Sequence, residues 1–214
     1  MDYHLRDHLS FGAVGTHLVL LDLAADRYFQ LHGAEAALLT GSDRKCADPS
    51  AYERLAAKGV LNRGPGSAIE PVVAPTGLAS AVETSGREIR IGVAEVTRER
   101  LGAAWSLRRR GLHATITRWR TQKAEAGGLG GDDDEAGAIA RGYAATRMLL
   151  PAARLCVPDS LALLRCLWKR GVGGDLYFGV RLDPFAAHAW VQRSETILSD
   201  SLGTVSEYRP VFRL

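Results

Sequence analysis

The chain has 214 residues, of which 46% are hydrophobic and 24% charged, an ordinary composition for a globular protein. Its formal net charge of +3 is too small to indicate a nucleic-acid-binding protein. No apolar run reaches the length of a membrane span, so we expect no membrane contact. The N-terminal stretch MDYHLRDHLS lacks the apolar core of a secretion signal, so we expect a cytoplasmic protein whose three cysteines stay reduced.

The first seventy or so residues predict a small α+β module. Three short runs, LSFGAV, HLVLLDL and RYFQLH, have the composition of strands and are separated by tight connections at residues 15–16 and 24–26. We expect a helix over residues 34–39. A second helix is expected to begin at Asp48-Pro49, with Asp48 as its cap, and to be followed by a short wing over residues 60–66.

The pattern LLDLxxDRYFxLxxxxAxLL in this module resembles the PqqD-like leader-recognition domain, a small winged-helix-like fold that binds leader peptides of ribosomal natural products. The resemblance implies β-augmentation, in which an extended peptide pairs with a strand edge through main-chain hydrogen bonds. We nominate the third strand as that edge and the second helix as a wall beside it, although a purely structural role in the core is equally compatible with each residue. The nominated peptide-binding residues are Arg27, Tyr28, Phe29, Gln30, Leu31, Tyr52, Leu55 and Lys58.

A stretch rich in Pro, Gly, Ser and Thr, PVVAPTGLASAVETSG, predicts a linker after this module. We therefore expect a leader-recognition domain over residues 1–72, a linker over 73–90 and a second domain over 91–214.

Residues 94–110 and 112–125 predict two amphipathic helices broken at Gly111. The apolar residues expected on their inner faces are Leu101, Trp105, Leu112, Ile116 and Trp119. The helices also carry a basic cluster, which is either a solvated surface or a patch for an acidic peptide, a nucleotide or a partner protein. Its members are Arg108, Arg109, Arg110, Arg118 and Arg120.

The sequence indicates neither a metal site nor a cofactor. The glycine-rich stretch GGLGGDDDEAG follows a helix and lacks the Lys-Ser/Thr ending of a phosphate-binding loop. Its aspartates, residues 132–134, are expected to cap a helix over residues 135–149. No zinc-ligand spacing occurs in the sequence.

The C-terminal part of the chain carries the residues that indicate catalysis. Cys156 directly precedes an apolar-periodic run, with Pro158 in the first turn, so it lies at the start of a helix, where partial positive charge favours a thiolate. His188 lies in the strand-like run AHAWVQ, and Asp200 ends the β-like segment ETILSD. An imidazole accepts the thiol proton and a carboxylate fixes the tautomer of the imidazole. From the residues alone, a buried structural cysteine and a core histidine remain an alternative.

Asp183 competes with Asp200 for the third role, because it stands five residues before His188 in LDPF. Asp-Pro favours a turn, so we expect a turn residue at position 183 and the catalytic carboxylate at position 200.

The segments RxCVPDSLAL and GVRLDPFAAHAWV, followed by an aspartate, resemble the lasso-peptide B proteins, which are leader peptidases with a transglutaminase-like fold. The resemblance implies a cysteine endopeptidase that removes the leader of a lasso-peptide precursor before macrolactam formation. Cys156 is then the nucleophile, His188 the base and Asp200 the orienting residue. The implied fold class is α+β, with a winged-helix-like β3α module before a transglutaminase/papain-like cysteine protease domain.

The same resemblance implies two partners, the leader region of the precursor and an ATP-dependent, asparagine-synthetase-like lasso cyclase. Two alternatives remain open. One is acyl transfer to an amine on the same Cys-His-Asp core, and the other is a leader-binding adaptor with a degenerate peptidase domain.

Overall fold

The computed structural model describes residues 3–41, 49–127 and 129–214, which form an α+β fold with six helices and ten strands in these ranges. Contacts between residues divide the chain into two compact units. The first contains Met1–Val73 and Arg209–Phe212, and the second contains Ala74–Tyr208 and Arg213–Leu214. Among the helices described, none combines the length and apolarity that crossing a membrane requires.

The first unit holds a three-stranded sheet, a two-stranded pair and two helices. In chain order its elements are β1 His4–Leu5, β2 Leu9–Val14, β3 His17–Asp22, β4 Arg27–Leu31, α1 Gly33–Thr40, α2 Pro49–Ala57 and β5 Leu61–Asn62. The three predicted strands and the two predicted helices are thus confirmed. Asp48, the predicted cap of α2, lies outside the described residues.

The sheet of the first unit is antiparallel in the order β2-β3-β4, so β4 is an outer strand. Alternate residues of the sheet, such as Leu18 and Leu20 of β3 and Leu31 of β4, join Leu39 of α1 and Leu55 of α2 in one buried cluster. Period-2 alternation in the strands therefore builds the core of this unit.

The second unit combines a sheet with four helices. Its elements, with the last strand shared between the two units, are β6 Ala79–Ser80, α3 Val93–Glu125, α4 Asp133–Met148, α5 Cys156–Trp168, β7 Asp175–Leu182, β8 Phe185–Arg193, β9 Thr196–Ile197, α6 Leu202–Ser206 and β10 Arg209–Arg213. Neighbouring strands run in the order β7-β8-β9-β6, with β7-β8 and β8-β9 antiparallel and β9-β6 parallel. Helix α5 packs on β7 and β8 and is also in contact with α3 and α4.

The stretch predicted as a linker contributes to the second unit. Ala79 and Ser80 pair with β9, and the Ala81 N–H donates to the Ile197 carbonyl at 2.8 Å. The Gln192 side chain donates to the Pro75 carbonyl at 2.7 Å. The prediction of a linker here is wrong for residues 75–81, because small side chains that suit a flexible segment also permit close pairing with a strand.

The predicted break in the long helix is confirmed. Gly111 has φ 77° and ψ 176°, a conformation open to glycine, within α3. The Ser106 and Thr115 hydroxyl oxygens lie 3.0 Å apart and are buried, although a straight helix would hold them far apart. Helix α3 therefore folds back on itself at Gly111.

The predicted inner face of the first half of α3 is wrong. Leu101 and Trp105 are 59% and 55% exposed, whereas Val96, Arg100 and Ala103 are buried. The core-facing row includes an arginine because Arg100 is bound by a carboxylate from another helix, which the local pattern does not reveal. In the second half, Ile116 and Trp119 are buried as predicted, and Leu112 is half-buried.

The acidic start of α4 is a helix cap, as predicted. Asp132 is the N-cap, and its Oδ1 accepts a hydrogen bond from the Glu135 N–H at 2.7 Å. Asp133 forms an ion pair with Arg193 at 2.9 Å. Among the described residues, no group of three or more His, Cys, Asp and Glu side chains is arranged to hold a metal ion.

Candidate active site

Cys156 is the first residue of α5, and its side chain is half-buried. The preceding residue, Leu155, is the N-cap with an extended backbone, and its N–H donates to Asp159 Oδ2 at 2.9 Å. The free N–H groups of the first turn give this helix end a partial positive charge, which stabilises a thiolate.

His188 lies on β8, the strand against which α5 packs. Ser160, one turn after Cys156, donates from Oγ to the Ala189 carbonyl at 3.2 Å in a buried position. This bond joins the helix that carries the thiol to the strand that carries the imidazole, and so fixes the register between them.

Asp200 is the carboxylate beside the imidazole. Its Oδ1 lies 3.1 Å from His188 Nε2, at ion-pair distance although without the alignment of a linear hydrogen bond. With Nε2 turned toward Asp200, Nδ1 is the ring nitrogen left for the thiol. Asp183 lies instead in the turn between β7 and β8, outside the residues that line the cavity at Cys156.

Two serines hold Asp200 in place. Ser199 Oγ donates to Asp200 Oδ2 at 2.5 Å and accepts from the Val191 N–H at 2.9 Å. Ser80 Oγ donates to the Asp200 carbonyl at 2.7 Å. Sequence reasoning missed Ser80, because it is distant in the chain and lies in the stretch interpreted as a linker.

The electrostatics of the site favour a thiolate–imidazolium pair. Burial alone raises the pKa of Cys156, but contact with His188 and a backbone hydrogen bond from Ala189 outweigh it, so the pKa falls below its ordinary value. Burial alone lowers the pKa of His188, but contacts with Asp200 and Cys156 outweigh it and raise this pKa to about 9. Both shifts favour transfer of the proton from sulfur to nitrogen.

The three side chains line one cavity of about 380 Å³, together with Tyr143, Arg154 and other residues of α4, α5 and the segment after β9. The backbone N–H of Cys156 is available as one donor to an oxyanion. None of the described residues that line the cavity is a glutamine or an asparagine.

An aromatic ring covers the imidazole. The ring centroids of His188 and Tyr208 are 5.2 Å apart, and the Arg181 guanidinium lies 5.7 Å from the Tyr208 ring centroid. Arg181 also forms an ion pair with Glu207. Sequence reasoning missed Tyr208, which stands in the segment before the last strand and carries no motif.

Cys166, also on α5, has no part in the site. Its side chain is fully buried, and burial raises its pKa to about 12, with a smaller effect of Glu95 in the same direction. It is a free thiol that packs as a small apolar residue. Cys46 lies outside the described residues.

The residues nominated for peptide binding on β4 lie on an outer strand, as the docking mode requires. Arg27 and Gln30 are exposed, Tyr28 and Phe29 are half-buried, and Leu31 is buried. The side chain of Leu31 therefore belongs to the core, and only its backbone remains a candidate for contact.

Of the three residues nominated as a helix wall, Tyr52 and Leu55 lie on α2, and Lys58 directly follows its last residue. Leu55 is fully buried in the core, so its nomination as a surface contact is wrong. Lys58 Nζ binds Glu35 Oε1 of α1 at 2.6 Å, and Tyr52 stacks on Tyr3 with ring centroids 5.0 Å apart. Helix α2 packs on α1 and β5, whereas α1 is the helix that directly follows β4.

Comparison with known proteins gives one match. A family model described as transglutaminase-like superfamily matches residues 98–213, a range that contains Cys156, His188 and Asp200. No curated protein and no solved structure matches the chain significantly. The core of this superfamily is typically that of a cysteine hydrolase or transferase, in agreement with a thiol, an imidazole and a carboxylate that share one cavity. Because the match spans more than half of the 214 residues, the chain belongs to the transglutaminase-like superfamily.

Proposed function

We propose that the chain is a cysteine endopeptidase that removes the leader from a ribosomally made lasso-peptide precursor. The observation that carries the proposal is the meeting of Cys156, His188 and Asp200 in one cavity, with the pKa of the thiol lowered and that of the imidazole raised. The segments RxCVPDSLAL and GVRLDPFAAHAWV, which resemble lasso-peptide B proteins, support the choice of substrate.

The reaction follows from the charges at the site. The Cys156 thiolate attacks the scissile carbonyl carbon, and the negative charge that develops on oxygen is stabilised by the Cys156 N–H. The His188 imidazolium gives its proton to the leaving amine, which departs as the C–N bond breaks. Neutral His188 then takes a proton from a water molecule as its oxygen attacks the acyl carbon. Breaking of the C–S bond releases the carboxylic acid product and restores the thiolate–imidazolium pair. Asp200 stabilises the imidazolium both before the thiolate attacks and after His188 takes the proton from water.

The leader is proposed to bind the first unit as an added strand beside β4. The opposite outer strand, β2, already accepts a hydrogen bond at the Phe11 carbonyl from the Val72 N–H, at 2.7 Å. A cavity of about 310 Å³ lies between the β2-β3 turn, the end of β4 and α1, where His32, Ala36 and Ala37 contribute to its walls. It offers a pocket for a side chain of the added strand, and α1 takes the role that the sequence assigned to α2.

Tethering of the leader raises the effective concentration of the cleavage site at the second unit, because the second encounter becomes intramolecular. The freed core peptide would then pass to an ATP-dependent, asparagine-synthetase-like cyclase.

The test uses a candidate lasso-peptide precursor, to be sought as a short open reading frame beside the gene for this chain. We expect the protein to cut it into leader and core whose summed mass exceeds that of the precursor by one water. Cys156→Ala should abolish cleavage and keep leader binding, while Cys166→Ala, the matched control on the same helix, should cleave normally. Cleavage by Cys156→Ala at the wild-type rate would overturn the peptidase assignment, and products that join the acyl group to an added amine would favour acyl transfer.

The docking mode has its own test. Leader peptides N-methylated at one backbone position at a time should lose affinity at alternate positions, since every second N–H of an added strand points to its partner. If N-methylation at every position leaves the affinity of the leader unchanged, strand addition is excluded, while the peptidase assignment is unaffected.

A further inference from the structure

A half-buried carboxylate on α5, the helix that begins at Cys156, is bound by arginines from two other helices. Asp159 Oδ1 accepts from Arg100 Nε of α3 at 2.7 Å and from Arg147 Nε of α4 at 2.9 Å. The side chains of Arg100 and Arg147 are only 10% and 6% exposed. Tyr143 of α4 adds a hydrogen bond to the Asp159 carbonyl at 3.1 Å. Three helices are therefore tied together one turn after Cys156.

The same arginines hold the loop that leads into the nucleophile. Arg147 Nη2 donates to the carbonyls of Ala152 and Ala153, both at 2.9 Å, and Arg100 Nη2 also donates to the Ala153 carbonyl. Asp159 Oδ2 in turn accepts from the N–H of Leu155. The backbone from residue 152 to residue 155 is thus fixed by side chains from α3, α4 and α5.

We propose that Arg100, Asp159 and Arg147 are positioning residues that set the place of the Cys156 sulfur relative to His188. The proposal rests on the proposed function, which makes Cys156 the nucleophile. Arg147 and Asp159 line the same cavity as the thiol, yet the donors of Arg147 are already used by the carboxylate and by loop carbonyls. The group therefore acts on the loop and the helix end and not on the substrate.

The energetics support a positional role. Bringing two guanidinium groups and one carboxylate into a protein interior costs desolvation energy, and buried ion groups of this kind often stabilise less than apolar residues of the same volume. The planar guanidinium instead provides several donors at fixed angles, so one Arg147 side chain can hold a carboxylate and two loop carbonyls at once. Lysine carries the same charge but cannot reproduce that fork.

The test is Arg147→Lys, which keeps the charge opposite Asp159 and loses the loop contacts. With the precursor as substrate we expect kcat to fall by roughly 10–100-fold with KM changed less than about threefold, as for a displaced nucleophile. The matched control is Arg170→Lys at the other end of α5. Arg170 likewise binds a carboxylate, Glu95 at 2.9 and 3.0 Å, and a carbonyl, that of Cys166 at 3.0 Å. Arg170→Lys should lower the melting temperature of the protein and leave kcat unchanged.

A second measurement does not need the substrate. In a Cys46→Ala background, iodoacetamide should alkylate Cys156 in Arg147→Lys several-fold more slowly at neutral pH than in the parent, since a displaced thiol loses contact with His188. Wild-type alkylation and wild-type kcat in a folded Arg147→Lys protein would overturn the positioning role, and so would an equal loss of kcat in Arg170→Lys. If Arg147→Lys does not fold, Asp159→Asn, which keeps an oxygen acceptor for Leu155, is measured in the same two assays. If Arg147→Lys is alkylated slowly but the parent cleaves no precursor, the peptidase assignment is refuted and the positioning role is kept.

Discussion

Ser199 donates its hydroxyl hydrogen to one carboxylate oxygen of Asp200 at 2.5 Å, while the other oxygen of Asp200 lies 3.1 Å from His188. The two oxygens thus have separate partners, and the hydroxyl fixes the rotation of the carboxylate. A catalytic carboxylate that orients an imidazole needs such support, since rotation about its terminal bond is otherwise soft.

Ser199→Ala should therefore weaken catalysis without removing it. Loss of one hydrogen bond worth about 1 kcal/mol corresponds to a fall in kcat of roughly fivefold. Steady-state kinetics on the precursor measures this. Ser201→Ala serves as the control, because it removes the N-cap of α6 and should lower stability by about 1 kcal/mol with kcat intact. Equal kcat in the two variants would contradict an orienting role for Ser199.

Replacement of the two candidate aspartates should separate their roles. Asp200→Asn removes the charge that stabilises the imidazolium, and we expect kcat/KM to fall by roughly 10²–10⁴-fold. Asp183→Asn changes a turn residue outside the cavity and should stay within about twofold of the parent. The measurement is kcat/KM of both variants on the precursor. A larger loss in Asp183→Asn than in Asp200→Asn would refute the assignment of Asp200 as the catalytic carboxylate.

The pH dependence of activity should follow the two shifted groups. The reactive form is a thiolate beside an imidazolium, which exists above the lowered pKa of Cys156 and below the raised pKa of His188, about 9. Activity is therefore expected to rise at a pH below the ordinary thiol pKa of about 8.5 and to fall as pH passes about 9. Because the thiol and the imidazole interact, the rise and the fall of the pH profile both report on the pair and not on one residue each.

The measurement is kcat/KM against pH, with alkylation of Cys156 as a second profile. His188→Ala should move the rise in alkylation to higher pH, since it removes the largest effect that lowers the pKa of the thiol. Cys166, with its pKa raised to about 12, should not react in the native protein and provides an internal control. A single rise near the ordinary thiol value in the parent would contradict the ion pair.

Much of the site is readable from local sequence patterns. The apolar period after Cys156 predicts the helix, and the alternation around His188 predicts the strand, because each pattern reports which side of one element meets the core. Asp200 is favoured over Asp183 because Asp-Pro indicates a turn. These inferences use neighbours in sequence only.

The features that sequence reasoning missed depend on partners far away in the chain. Arg100 takes a core position in place of Leu101 because Asp159, on another helix, neutralises it. Ser80 reaches Asp200 from a segment whose composition is that of a linker. A local pattern carries no information on such pairs, so the prediction for α3 places Leu101 and Trp105 on the inner face, where the structure instead buries Val96, Arg100 and Ala103.

Helix α4, which packs on α5, is in close contact with the backbone of residues 89–91. An added Cβ at Gly142 of α4 would lie 1.9 Å from the Ile89 carbonyl oxygen, and the Thr146 hydroxyl of the same helix donates to the Ile91 carbonyl at 2.7 Å. The backbone of residues 89–91 therefore runs directly on α4, and Gly142→Ala must push it away at a cost of about 1–3 kcal/mol. Gly102→Ala, in the exposed interior of α3 with nothing near its Cβ position, should instead stabilise by up to about 1 kcal/mol. Urea denaturation of both variants measures the two free energies of unfolding, and a Gly142→Ala protein as stable as the parent would show that this close approach is absent.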